Sequence, residues 1–171
     1  MKKVMFLILL CWAQLAPLSL AQHTNHTAPA PSNIIDGSSH PELVPDSVAY
    51  RLYFVTASEL PNAATEAQQR QLSHLGRIGL HAGDLQETIA ILNEFKVEYS
   101  ALIAEYNATA TAADVQGIKP DLAGFLKLRD ALVQTTRVQL KRKLSLNGMT
   151  QFDAFVQSEK KHMKVAVEEA Q

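Results

Sequence analysis

The stretch DLQETIAILNEFKVEYSALIAEYNATATAA, Asp84 to Ala113, decides the fold. Leu85, Ile89, Leu92, Phe95, Tyr99, Leu102 and Tyr106 recur at spacings of three and four, which places them on one face of an α-helix. Ile91, Val97 and Ile103 widen that stripe, so the helix is expected to touch more than one neighbour. Asp84, Glu87, Glu94, Glu98 and Glu105 fall between the apolar positions, with Lys96 as the lone base. No Gly or Pro interrupts the run. A helix this long and amphipathic needs partner helices to cover its stripe, because its stability comes from packing rather than from propensity.

Working outward, the chain supplies those partners. Pro45 or Asp46 opens a helix carrying Val48, Ala49, Leu52 and Val55, with Tyr50, Tyr53 and Phe54 making it apolar nearly all round. Pro61 separates it from a second helix, about Asn62 to Ile78, with Leu72, Leu75 and Ile78 as core positions. Gly79 is placed to end that helix in the left-handed conformation, with Leu80 folding back. Either Asp84 caps the long helix or His81 does, with Asp84 reaching back to it. Ala108 to Ile118 reads as a fraying end and a loop. A fourth helix then runs from about Asp121 to Leu144 on Leu122, Phe125, Leu126, Leu132, Val133, Thr136 and Leu140. Ser145 is placed to cap a fifth, carrying Leu146, Met149, Phe152, Phe155, Val156 and Met163, with Thr150 as a competing start. No strand-like alternation of any length is present. The expectation is an all-α, single-domain bundle of about five helices organised on one long central helix.

The ends of the chain bound its context. Lys2 and Lys3, the apolar run from Val4 to Leu15, and Ser19-Leu20-Ala21 have the form of a signal peptide cleaved after Ala21, residues 1–21. Leu10 stands before Cys11 where a lipoprotein site wants a small residue. Residues 22–44, rich in His, Thr, Pro and Ser, read as a flexible leader, and 45–171 as the helical domain. Cys11 and Trp12 are the only residues of their kinds, so cleavage leaves no thiol, disulfide or Cys-based metal site. It also leaves 14 bases against 17 acids, net −3 after Lys2 and Lys3 are lost, which is no global signature for nucleic acid or for an anionic membrane. Export to the periplasm or beyond the cell follows, with no membrane-spanning segment in the mature chain.

IDGSSHPELVPDSVAYRLYF (Ile35 to Phe54), Ile78-Gly79-Leu80 followed by Asp84, and LKLRDAL with LKRKLSLNG (Leu126 to Gly148) resemble an uncharacterised family of bacterial secreted helical proteins. The family has a similar Asp-Gly, Pro-Glu-Leu-x-Pro-Asp opening and a basic C-terminal end. The resemblance implies export and a helical fold, and no activity.

Chemistry is sparse. His81 and Asp84, three apart, are candidate metal ligands if folding brings in another histidine, but no dense ligand pattern accompanies them. No nucleophile elbow and no phosphate-binding loop is present, and no cofactor is expected. Charge is distributed more informatively. Residues 84–114 carry six acids and one base, whereas 119–164 carry ten bases and four acids. Arg137, Lys141, Arg142 and Lys143 cluster late in the fourth helix, and Lys160, Lys161 and Lys164 late in the fifth. Two readings stand beside each other. Such bases complement helix C-termini and a neighbouring acidic helix, or they form a patch for an anionic envelope component or another protein. The functional expectation is a non-enzymatic exported protein with a binding or interaction role in the cell envelope. The alternative is a metal-binding or metal-responsive periplasmic protein using His81, Asp84 and another histidine.

Overall fold

The computed structural model describes residues 34–166. The expected signal peptide and most of the expected leader lie outside them. Five helices make the fold: α1 (Asp46–Ala57), α2 (Thr65–Gly76), α3 (Ala82–Val115), α4 (Leu122–Lys143) and α5 (Leu146–Glu159). It is an all-α bundle on a long central helix. None of these helices is long and apolar enough to cross a membrane.

The helix α1 is the hub. Val48, Ala49, Tyr50, Arg51, Tyr53, Phe54 and Ala57 are all buried, so almost no side of it faces water. It lies against α2, α3, α4 and α5, as a helix without a polar face must. Phe54 meets Phe95 of α3 and Phe152 of α5 at ring-centroid distances of 5.4 and 6.4 Å, and Tyr53 meets Phe152 edge-on at 5.5 Å. Leu75, Leu92, Val133, Leu140 and Val156 complete the core.

Each boundary has a local cause. Gly79 takes φ +80° after α2, the conformation expected of the residue that ends it. The helix itself begins at Thr65 rather than near Asn62, and Leu72, expected in the core, is 47% exposed. Gln71 is buried instead and donates from Nε2 to the Ala57 carbonyl at 3.0 Å. In α3, Thr88, Ile91, Leu92 and Phe95 are buried and Val97 is exposed, so the stripe is narrower than the apolar positions suggest. The helix also runs on through Ala108–Ala113, where fraying is expected from the sequence. Alanine is the best helix former, and the Thr109 and Thr111 hydroxyls are satisfied by carbonyls one turn back within the helix instead of capping an end. Gly117, at φ +68°, then reverses the chain.

Part of the segment expected as leader is structured. Ile34–Asp36 forms a strand, β1, paired antiparallel with β2 (Lys164–Ala166), with Ile35 opposite Val165. A 3-10 turn at Pro41–Leu43 follows, and Val44 is fully buried. Strands of three residues are too short to show alternation in a sequence, and their partners lie at opposite ends of the chain. Gly37 seals the junction by donating its N–H to the Met163 carbonyl at 2.8 Å. A Cβ at Gly37 would stand 2.9 Å from that carbonyl oxygen and closer still to that of Lys160. The site therefore admits no side chain.

Leu92→Ala should destabilise the fold by about 2–5 kcal/mol in chemical denaturation, since the side chain is fully buried. Glu94→Ala, on the exposed side, should change it by less than about 0.5 kcal/mol. Equal effects would contradict this packing of α3.

Candidate functional site

The expected metal pair is separated by its hydrogen bonds. His81 is the N-cap of α3 with no side-chain capping bond, and its imidazole is exposed. Asp84 turns away to the start of α5. Its Oδ1 accepts from the Ser145 N–H at 2.8 Å and its Oδ2 from the Ser145 hydroxyl at 2.6 Å. The Ser145 Oγ in turn accepts from the Gly148 N–H at 3.0 Å. Ser145 is therefore the α5 cap, as its position suggests, and Asp84 anchors it from another helix. The hydroxyl bond, then the backbone one, hold the Asp84 carboxyl below its ordinary pKa of 3.8. A Cβ on Gly148 would lie 2.6 Å from the Asp84 Cγ, so this contact also requires glycine.

The other histidines are dispersed. His40 faces Glu42 at 3.1 Å, and His74 stacks on Tyr53 at 5.5 Å. Burial, and then the Arg77 charge, lower the His74 pKa, which keeps the ring neutral. Among the described residues no group of three His, Cys, Asp or Glu side chains is placed to hold a metal ion.

The basic residues divide sharply. Lys160 is buried and donates to Asp46 Oδ1 at 2.6 Å. That bond, then one from Gln157, lowers the Asp46 pKa. Lys164 lies 3.8 Å from Asp36 beside the β1–β2 pair. Arg137 lies over the Tyr50 ring, its guanidinium carbon 3.9 Å from the centroid, a cation–π contact. Tyr50 donates its hydroxyl to Asp153, and burial, then that carboxylate, push its pKa well above the ordinary value. Lys141, Arg142, Lys143 and Lys161 are exposed, with no carboxylate partner among the described residues. Lys160 and Lys161 begin where α5 ends, and Lys143 stands just before α5 begins. The length of α5, about 20 Å, therefore separates the two groups of bases, and they do not form one patch.

What remains together is the corner where α4 passes into α5. Lys141, Arg142 and Lys143 occupy the last turn of α4. Leu144 tucks into the core, Ser145 caps α5, and Leu146 is left 88% exposed. A groove of about 320 Å³ opens beside them, lined by Gln134, Arg137, Val138, Lys141, Met149 and Asp153. Arg137 and Lys141 are one turn apart and so share this side of α4. Arg137 is held by Tyr50, whereas the three terminal bases are exposed. Such a corner can receive anionic oxygens at its bases and an apolar surface at Leu146. The basic run was legible in the sequence. Leu146, expected on the apolar face of α5, projects into solvent instead, because the turn at Leu144–Ser145 directs Leu144 into the core and leaves the first residue of α5 outside it.

No family model, curated protein or solved structure matches the chain.

Two measurements test the Asp84–Ser145 anchor. Ser145→Ala should cost about 1 kcal/mol in chemical denaturation, the ordinary loss of an N-cap. Asp46 and Asp84 both have lowered pKa values, so their contribution is present above the ordinary carboxylate pKa and is lost as pH falls through the lowered ones. Thermal stability should therefore fall below about pH 4. Asp84→Asn should lower Tm at neutral pH and make that acid fall shallower. An unchanged acid profile in this variant would contradict the assignment.

Proposed function

We propose that this chain is an exported, non-enzymatic protein of the cell envelope that attaches peripherally to an anionic membrane surface through the α4–α5 corner. The observation that carries the reading is the exposed Leu146 three residues after the run Lys141, Arg142 and Lys143, bases with no carboxylate partner among the described residues. Bases near an anionic bilayer are each worth about 1 kcal/mol. An exposed leucine adds apolar contact at the headgroup boundary. The N-terminal signal-peptide pattern supports placement where such a surface is met.

The helix dipole accounts for bases in the last turn of α4, and the membrane reading rests on those bases and Leu146 standing at one corner together. Leu144, two residues earlier, is buried in the core, so the turn separates one leucine for the fold and one for solvent. The groove next to Arg137 offers a place for a headgroup oxygen, with the guanidinium already fixed over Tyr50.

Flotation with vesicles containing phosphatidylglycerol at physiological salt tests the reading. The wild type should float, and its affinity should weaken steeply as salt rises. Replacing Lys141, Arg142 and Lys143 together by Gln should weaken binding by roughly 100-fold at about 1 kcal/mol per base, with Tm nearly unchanged. Leu146→Asp should weaken it further. A wild type that stays at the bottom of the gradient, or a neutralised variant that floats as well, would overturn the proposal.

A further inference from the structure

The groove at the α4–α5 corner carries both signs of charge, one on each wall. Gln134, Arg137, Val138 and Lys141 line it from α4, at spacings that share one side of that helix. Met149 and Asp153, four residues apart, line it from α5. Leu146 stands three residues before Met149, so the exposed leucine belongs to the same side of α5 as the groove. At about 320 Å³ the space falls within the range of small-ligand sites, about 300–1,000 Å³.

The charges on the two walls do not neutralise each other. Among the described residues no ion pair includes Arg137, Lys141 or Asp153. Tyr50 holds two of the three. Its ring carries the Arg137 guanidinium, 3.9 Å from the centroid, and its hydroxyl donates to Asp153 Oδ1. Asp153 Oδ2 accepts from no described residue. A guanidinium and a carboxylate are thus fixed in one groove, each with bonding capacity left over. Groups positioned before a ligand arrives lower the ordering cost of binding it.

We propose that this groove binds a phosphoethanolamine group, a phosphodiester that carries a primary ammonium on a short carbon arm. The inference rests on the membrane reading above and names the headgroup that the corner selects. Arg137 and Lys141 take the phosphate oxygens, the guanidinium through paired N–H groups. Asp153 takes the ammonium at its remaining oxygen, and Val138 and Met149 cover the carbons between. A glycerol headgroup offers the same phosphate but leaves the carboxylate without a cation. A trimethylammonium headgroup brings the cation but no N–H to donate. Asp153 therefore supplies the selectivity, as an acceptor for one headgroup and an unpaired charge against the others. Lys141 belongs to both the groove and the basic run, so the headgroup is seated where Arg142, Lys143 and Leu146 meet the bilayer.

Flotation at a fixed fraction of phosphatidylglycerol tests selection apart from attachment. Vesicles completed with phosphatidylethanolamine should bind the wild type roughly tenfold more tightly than vesicles completed with phosphatidylcholine. That ratio corresponds to about 1.4 kcal/mol, within reach of one hydrogen bond to a charged group. Asp153→Asn keeps an acceptor for the Tyr50 hydroxyl and should bring the ratio close to one, with helicity retained. This variant separates headgroup recognition from any effect of lipid packing. Soluble glycerophosphoethanolamine supplies a second arm. It should shift the amide resonances of Arg137, Lys141 and Asp153, and glycerophosphocholine should not. Equal binding to the two vesicle types, or a ratio that survives in Asp153→Asn, would overturn the inference and leave attachment intact. A wild type that floats with neither vesicle, yet responds to the soluble compound, would overturn attachment and keep the groove as a site for free phosphoethanolamine compounds. Neither flotation nor a resonance shift would overturn both.

Discussion

The contact on which the rest depends is the meeting of Phe54 with Phe95 and Phe152. Three rings from three helices meet near the middle of the fold, and Tyr50 adds its edge to Phe54 at 5.8 Å. Aromatic groups bury large areas and favour tilted geometries, so they position helices as well as hold them. Because α1 is apolar nearly all round, α3, α4 and α5 can pack against different sides of it. Arg137 reaches the same hub from α4 by stacking on Tyr50. A helix that no surface position could satisfy thus becomes the axis of the fold.

Polar side chains then fasten what the rings have gathered. Asp84 and Ser145 join the starts of α3 and α5, 61 residues apart in the chain. Lys160 and Asp46 join the end of α5 to the start of α1. The β1–β2 pair closes the two ends of the described chain against each other. Each bond satisfies a group that folding removes wholly or partly from water, and leaving it unmade would cost more than making it gains. The same economy explains why several residues with the chemistry of ligands or docking groups serve the interior instead.

Stability is therefore distributed unevenly. The inner half of α3 is enclosed by the core, while its outer half is covered on one side only by α4. Regions with few buried apolar contacts open at lower free energy than the core. The part of α3 beyond Phe95 and the part of α4 before Val133, which contain no buried residue, form such a region.

The sequence by itself determined the helices and most of their limits. The three-and-four spacing of Leu85 to Tyr106, the Gly79 stop and the Ser145 cap are local signals, and local geometry answered them. It also determined that α1 is buried, since no face of it is polar. Long-range pairing was decided only by the tertiary structure. Asp84 is equally suited to cap its own helix, to bind a metal or to reach Ser145, and the approach of α5 selects the last. Lys160 and Lys141 look alike in the chain, yet one is buried against Asp46 and the other faces water. Val97 and Ile91 both carry apolar stripe character, but six residues apart they point to different sides of α3, and the core covers only the side of Ile91. The strands at Ile34–Asp36 and Lys164–Ala166 are invisible until folding brings them side by side. Periodicity describes one helix at a time, whereas the fate of a charge or a three-residue strand depends on partners more than a hundred residues away.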